Sequence, residues 1–294
     1  MWETVYRWLM KFDLELLMYG VLFLFFLAET AFDRRVRPTG ASLRESLSSL
    51  AMTVLHNLGK YVFIPPLVKL YSFLFAFRPF ELPWSWWAVG LALIAVDFTY
   101  YIHHRSMHRL GLFWTVHAVH HQPKFVNLSM STRLSFFNKA LTYWFYLPLA
   151  LVGVPLSMLA LVGLINGFYQ ALTHSRYFRL PAPLRLVFID SRDHHLHHSR
   201  DEQVFNLNFG GMLSIWDRLF KTLALGELKR TFDQRFDAAK IEYGLPGEIG
   251  ESRVIENPIL SNLIPFRYLW RDLKAIGPIG LVRPPGASSR MSEK

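Results

Sequence analysis

Long apolar runs separated by short basic segments are the feature that most limits what this 294-residue chain can fold into. The first run extends from Leu14 to Phe32 and is long enough to cross about 30 Å of hydrocarbon. The segment "DRRVR" follows it, and Lys and Arg are enriched on the cytoplasmic side of membrane helices. These features predict an all-α integral membrane protein that crosses the bilayer several times.

Three more apolar runs follow. As a straight helix at about 1.5 Å per residue, Leu47–Phe77 would be about 46 Å long, too long for one crossing and too short for two. A Pro-Pro pair interrupts this run, and we predict one crossing plus an interfacial extension. Trp84–Tyr101 begins with a tryptophan cluster, as expected at a membrane interface. Phe136–Leu172 contains "GVP" and predicts a helical hairpin that enters and leaves on one side.

These runs add up to about four to five membrane-embedded helices, one pair of them forming the hairpin. If "DRRVR" is cytoplasmic and Leu47–Phe77 crosses once, every histidine cluster lies on the cytoplasmic side, in a predicted helical cap. If Leu47–Phe77 crosses twice, this prediction of the cytoplasmic side fails.

We expect the protein in a bacterial inner membrane, or in the endoplasmic reticulum in a eukaryote. The chain is predicted to divide into four parts. They are N-terminal transmembrane helices at 1–80, a catalytic domain at 81–225, a cytoplasmic C-terminal segment at 226–282 and a disordered tail at 283–294.

Composition restricts the chemistry. The chain has no cysteine, so disulfides, thiolate metal sites and a cysteine nucleophile are excluded. Its formal charge is +10, but the Lys and Arg residues flank apolar runs, a pattern that fits anionic lipid headgroups. We therefore expect the membrane and no nucleic acid as a partner. Any metal site must use His, Asp, Glu or backbone atoms.

Ten of the 12 histidines fall in four clusters, "HRSMH", "HAVHH", "THSRY" and "HHLHH", and nine of these ten are candidate ligands. The spacings i, i+3 and i+4 place side chains on one face of a helix. Nine imidazoles exceed the coordination shell of one metal, so two metals are implied, and imidazole suits Fe, Zn, Cu and Ni. The alternative is a pH-sensitive or headgroup-facing loop, which does not require the repeated helical spacing. The nine are His104, His108, His117, His120, His121, His174, His194, His197 and His198.

The remaining histidines are His56, His103 and His195. At about 100° per residue, His103 and His195 each point about 100° away from the first histidine of the neighbouring cluster. We predict that neither is a ligand. His56 is predicted to pack inside the helix bundle.

At these motifs the chain resembles the fatty acid hydroxylase and sterol desaturase superfamily, over roughly residues 90–225. The similar segments are "DFTYYIHHRSMH", "WTVHAVHHQPKFVNLSMSTR", "DHHLHH" and "NFGGMLSIWDRLFKT". The part from "NLSMSTR" through "FYQALTHSRYF" is most similar to the alkylglycerol monooxygenase branch. Five positions depart from the family pattern without removing a ligand. They are Asp190-Ser191 for Thr-Pro, His195 for Arg, Asn206 for an acidic residue, and Lys221 for Gly.

The resemblance implies a membrane-bound, non-haem di-iron oxygenase that uses O2 to hydroxylate a C–H bond of a lipid. Its nine matching histidines would be the ligands of two iron ions, with zinc as a possible replacement. The substrate would be an ether lipid, a fatty acyl chain, a sterol or an aminolipid. Because the chain has no haem-binding segment or dinucleotide fingerprint, electrons would come from a redox protein or a pterin such as tetrahydrobiopterin. A desaturase with the same site is the alternative.

Three polar residues are candidate catalytic residues: Asp97, Tyr100 and Asn127. Asp97 lies seven residues before a clustered histidine and inside an apolar run, where ionisable groups are functional candidates. It is predicted either to accept a hydrogen bond from a ligating histidine on another helix or to cap a Tyr or Arg. Tyr100 extends the same polar stripe. Asn127, together with Arg133, would orient the loop after the second cluster or bind a headgroup.

Two other classes of protein compete with the oxygenase. A membrane metal transporter, or a protein that simply binds metal, would place ligands near the middle of the membrane along a path. A membrane cytochrome b would need histidine pairs buried on facing spans. In this chain the histidines lie at the ends of the apolar runs, which favours the oxygenase.

Overall fold

The regular structure of the chain is helical. The structure, a computed structural model, describes residues 14–36, 43–201, 203–237, 240–245 and 248–276. Within these ranges there are two isolated β-bridges and no strand. The all-α prediction is confirmed for this part of the chain, while the predicted tail at 283–294 lies outside the described residues.

Three of the described helices are long and apolar enough to cross a membrane. They are α1 (Leu14–Val36), α2 (Leu43–Phe75) and α8 (Leu156–Thr173). The predicted crossing at Trp84–Tyr101 forms α3 (Trp86–Arg109), which is not among the three. Its sequence contains Asp97 and ends in the polar run "HHRSMHR", which lowers its mean hydropathy.

The second predicted run is one unbroken helix. α2 continues through Pro65 and Pro66 and has 33 residues, which at about 1.5 Å per residue is about 50 Å. It does not fold back on itself as a helical hairpin. This continuity is what a single crossing with an extension requires.

The chain reverses direction at the predicted "GVP" position, but the two legs differ. The first leg is three short pieces, α6 (Asn138–Thr142), a 3₁₀ turn (Tyr143–Tyr146) and α7 (Pro148–Leu151), while the second is the continuous α8. Gly153 makes the turn with φ +80°, and a Cβ there would lie 2.3 Å from the Phe80 carbonyl oxygen. Because only glycine fits, the turn is fixed at this residue.

Close packing of α3 against α8 and the turn forms the central apolar core of the bundle. The contact uses small residues of α3, Ala88 and Ala92, with Val96 one turn later. Small side chains let two helices approach closely. They face Leu149, Val154, Met158 and Val162.

A set of helices beyond the ends of α3 and α8 forms a cap. The capping helices are α4 (Gly111–His121), α5 (Leu128–Ser131), α9 (Ser191–His197), α10 (Ile215–Leu219), α11 (Gly226–Asp237), α12 (Ser252–Ile255) and α13 (Pro258–Ile276). Of these, α4 and α9 carry the remaining histidine clusters. α1 is tied to this cap by Glu29, which is buried and accepts hydrogen bonds from the Leu128 amide and the Ser175 hydroxyl, at 2.9 and 2.7 Å.

The start of α9 is set by a capping box. The Asp190 carboxylate accepts from the Arg192 amide at 2.9 Å, and the Asp193 carboxylate accepts from the Asp190 amide. These bonds satisfy amides that the first turn of a helix leaves free. They place His194 one turn into the helix, so the third histidine cluster is held in helical register.

Candidate metal centre

The nine clustered histidines converge on two adjacent groups, and all nine are buried. Within each group the candidate ligand nitrogens lie within 4.8 Å of one another. The first group contains His104, His108, His117, His121 and His197. The second group contains His120, His174, His194 and His198.

Helical spacing explains how each cluster is divided between the groups. In α4, His117 and His121 are four residues apart and join the first group, while His120 faces the second. The arrangement is reversed at α9, where His194 and His198 join the second group and His197 the first. Residues four apart are about 40° apart around a helix, whereas consecutive residues are about 100° apart. The HxxHH pattern therefore serves two sites from one helix.

Hydrogen bonds to carbonyl groups fix the tautomers in the second group. The Nδ1–H of His120 donates to the Arg133 carbonyl at 3.1 Å, and that of His174 donates to the Gln170 carbonyl at 2.9 Å. Burial lowers the pKa of both rings, to about 4 for His120, so both are neutral near pH 7. Each Nε2 then carries a lone pair, yet the two Nε2 atoms are 3.1 Å apart. Two facing lone pairs repel, and a bound cation removes this repulsion.

Two imidazoles of the first group are oriented in the same way, with Nδ1–H bonded to a carbonyl. The Nδ1–H of His104 donates to the Phe209 carbonyl and that of His197 to the Leu207 carbonyl, both at 2.9 Å. Both ring nitrogens of His108 and the Nε2 of His197 are buried without a hydrogen-bond partner. An unsatisfied buried acceptor is costly, which indicates that these nitrogens serve another purpose.

Both groups consist of imidazole alone. Burial, followed by crowding from the neighbouring imidazoles, holds the pKa of His104, His108 and His117 well below its usual range. Neutral imidazoles with their second nitrogen bonded to a carbonyl are the usual form of a metal-binding histidine. The residues therefore fit a pair of metal ions, with nitrogen ligands that suit iron, zinc, copper or nickel.

The three other histidines lie outside both groups, as the helical spacing predicts for His103 and His195. The Thr142 hydroxyl lies 3.0 Å from Nε2 of His103. The Nε2–H of His195 donates to the His174 carbonyl at 2.9 Å, and its Nδ1 accepts from the Tyr243 hydroxyl at 2.7 Å. His56 contacts the Ser135 carbonyl inside the bundle, at 3.1 Å from its Nδ1. His195 thus braces the backbone of a histidine in the second group.

The predicted bond from Asp97 to a ligating histidine is wrong. Its carboxylate instead accepts four hydrogen bonds, from the amides of Met212 and Leu213, the Trp216 indole and the Asn166 amide, at 2.7 to 3.1 Å. The alternative of capping a Tyr or Arg is also wrong. The chain after the third cluster folds back onto α3 at this height, so backbone amides reach Asp97 before any imidazole does.

Tyr100 lies beside the first group, with its ring centre 5.2 Å from that of His104. Asn127 begins α5, and its side-chain oxygen accepts from the amide and hydroxyl of Ser129 at 3.0 and 2.6 Å. Asn127 therefore orients the loop. A role for either residue in the reaction stays a prediction.

Arg133 is fully buried, so it does not contact a headgroup. Burial lowers its pKa to about 10, so it is still charged near pH 7. Its guanidinium donates to the carbonyls of Val119 and Ile255 and to the side chains of Ser48, Gln122 and Ser261. It joins α2, α4, α12 and α13 directly behind His120.

The sequence interpretation missed the groups that orient the imidazoles. Four of them are backbone carbonyls, which have no residue signature. Asp217, which the sequence predicts to shape the fold after the third histidine cluster, is fully buried, and its carboxylate accepts from the Phe209 and Gly210 amides at 2.8 Å each.

The segment that matches a known protein family contains all nine clustered histidines. The family model for fatty acid hydroxylase matches residues 89–222. Alkylglycerol monooxygenase from Danio rerio is 33% identical over 200 residues, which are 68% of this chain and 41% of that protein. The Homo sapiens alkylglycerol monooxygenase is 34% identical over 190 residues, covering 63% and 42%.

A bacterial relative is matched over more of its length. The ornithine lipid hydroxylase OlsE from Rhizobium tropici is 28% identical over 229 residues, covering 71% of this chain and 68% of that protein. The chain spans only about two fifths of the alkylglycerol monooxygenases it matches. No solved structure matches it. The predicted resemblance is confirmed: residues 89–222 match the family model for fatty acid hydroxylase, and the relatives matched by the chain are named as lipid monooxygenases and hydroxylases.

Proposed function

We propose that this protein is a membrane-bound, non-haem di-iron oxygenase that hydroxylates a C–H bond of a lipid. The observation that supports it most is the pair of buried imidazole groups with Nε2 atoms facing each other at about 3 Å inside a fatty acid hydroxylase domain. The relatives are named as a monooxygenase of alkylglycerol and a hydroxylase of ornithine lipid. The substrate class is therefore an ether lipid, fatty acyl chain, sterol or aminolipid.

The protein's own residues would hold and orient the metals. The first group would bind one iron and the second group the other. The carbonyls of Phe209, Leu207, Arg133 and Gln170 keep the Nε2 lone pairs directed inward. When bound, the iron pair supplies the activation of O2, with electrons from a redox protein or a pterin. Burial of all nine imidazoles keeps bulk water from the site.

The fixed, closed geometry supports an enzyme over a transporter. A transport path needs ligands that can release the ion along a route through the membrane. Here both groups are buried, and two imidazoles of each group are anchored to backbone carbonyls.

We also propose that both groups face the cytoplasm. The support is the charge pattern, in which α1 ends in the basic segment "DRRV" and basic residues flank the cap. Cysteines introduced at Lys124 and Gln203, which are both exposed, can be labelled with an impermeant thiol reagent because the natural chain has no cysteine. Both should react only from the cytoplasmic side. Labelling of the two from opposite sides would refute the arrangement.

Isotopically labelled O2 tests the proposed activity. Membranes containing the protein and a reductant should form a lipid product carrying one labelled oxygen atom, detected by mass spectrometry. Membranes with His121→Gln, which removes an imidazole of the first group, should form none. Products that lack the label, or equal labelling in the variant, would exclude the hydroxylase.

A further inference from the structure

On one side of the cap, a charged side chain is buried while neighbouring apolar side chains are exposed. In α10 the charged residue Asp217 is fully buried, whereas Ile215 and Leu219 are 51% and 65% exposed. A short helix that faces water shows the opposite distribution, with its apolar residues inward. The surface formed by α10 is therefore not built to face water.

A neighbouring segment repeats this inversion. Leu184, Leu186 and Val187 are 46%, 65% and 49% exposed, but Arg185 between them points inward. Its guanidinium lies 3.3 Å from the Asp190 carboxylate and within 3.5 Å of Asp193 and Asp233. The sequence "PAPLRLVF" thus hides its one charge and exposes its apolar side chains.

The two segments form one continuous surface, which we call the apolar platform: residues 184–187 and 215–220. The Ser214 amide donates to the Val187 carbonyl at 2.8 Å, and Phe188 pairs with Leu213 in an antiparallel bridge. Contiguous apolar patches of this kind mark a surface that contacts another apolar phase.

The position of the platform identifies what covers it. The Phe98 ring on the exposed side of α3 packs on Trp216 at 4.8 Å and on Phe220 at 6.3 Å between ring centres. On the other side, Tyr169 in the last turn of α8 donates to the Ile189 carbonyl at 2.7 Å. α8 is long and apolar enough to span the membrane, so the platform lies where that span ends.

Basic residues lie within and directly after the α10 part of the platform. Arg218 and Lys221 are exposed beside Leu219 and Phe220. Apolar side chains flanked by Lys and Arg are typical of segments that lie in the headgroup region with their apolar face among the acyl chains. We propose that the apolar platform inserts into the leaflet on the histidine side and holds the cap against the bilayer.

Depth-dependent fluorescence quenching tests this proposal on the full chain. Leu186→Cys and Leu219→Cys, each labelled with bimane, would be reconstituted in vesicles of phosphatidylcholine and phosphatidylglycerol. The matched control is Gln203→Cys, an exposed polar position on the same cap. Lipids brominated on their acyl chains should quench the two platform labels more than the control label. Aqueous iodide should quench the control more than either platform label.

Iodide quenching of the platform labels equal to that of the control would overturn the proposal. Protection of the platform labels from both quenchers would also overturn it, because a protein partner or a second copy would then cover the surface. The readout needs neither iron nor turnover, so its result is independent of the proposed enzymatic activity.

Discussion

The two histidine groups have the same ligand chemistry but different supports. In the first group, the carbonyls that orient His104 and His197 both belong to one loop, at Phe209 and Leu207. In the second group, the carbonyls come from Arg133 and Gln170 in separate parts of the chain. The two metal sites should therefore be separable by substitutions that never touch an imidazole.

The largest effect is expected from removing one imidazole from either group. His197→Ala empties a position in the first group and His120→Ala one in the second, so both should abolish product formation. Both proteins should still insert in the membrane, because neither side chain lies on a spanning helix. Product is measured by lipid mass spectrometry and insertion by membrane fractionation. Near-normal turnover in either variant would refute the two-site account.

Arg133→Met should weaken the second group while sparing the first. Losing the guanidinium leaves the Val119 carbonyl without this donor and the Ile255 carbonyl with only the Ser48 hydroxyl, which we expect to lower the free energy of unfolding by about 2–4 kcal/mol. The Arg133 carbonyl that orients His120 then loses its fixed position. Thermal unfolding in detergent and Mössbauer spectra of the iron-loaded protein measure the two effects. Equal loss of both iron signals would show that Arg133 supports the whole fold and not one group.

Asp217→Asn is the matched change for the first group. The asparagine amide cannot accept both backbone bonds that the carboxylate accepts from Phe209 and Gly210, so the Phe209 carbonyl should be less well placed for His104. We expect a cost of about 1–3 kcal/mol, with partial loss of iron from the first group only. The same two measurements apply. Selective loss from the second group would reverse the assignment of supports.

The smallest effect on metal is expected at the two histidines outside the groups. His103→Gln should keep both metals, and so should His195→Arg, because arginine can still donate to the His174 carbonyl. The added charge near Arg176 should lower stability without removing a ligand. The matched changes His104→Gln and His194→Gln should lose metal. Metal content per purified chain measures this difference between the two pairs of variants. Loss of metal in His195→Arg equal to that in His194→Gln would show that the ligand set is wrong.

Sequence periodicity was enough to predict the long helices and the convergence of the histidines. The i, i+3, i+4 spacing acts within a single helix, so it excludes His195 without knowledge of the fold. It predicts one shared face and does not indicate that His120 and His121 belong to different groups. Asp97 shows where this reasoning stops. Its partners lie more than 60 residues away along the chain, and no local pattern indicates which donors the fold brings to it.

The hairpin shows a second limit. An apolar run predicts burial, but it does not distinguish a continuous helix from the series of short helices and turns at residues 138–151. That choice depends on packing against α2 and on the close approach of Gly153 to Phe80, which are both tertiary effects.

The central claim is that two irons bind, one in each histidine group, and it is tested most directly by metal analysis of the purified full chain after anaerobic loading with Fe²⁺. The account predicts two irons per chain, with Mössbauer signals from two sites and no haem absorbance. It also predicts that Arg133→Met and Asp217→Asn each weaken a different one of the two signals. A single iron per chain with all nine histidines intact would contradict it.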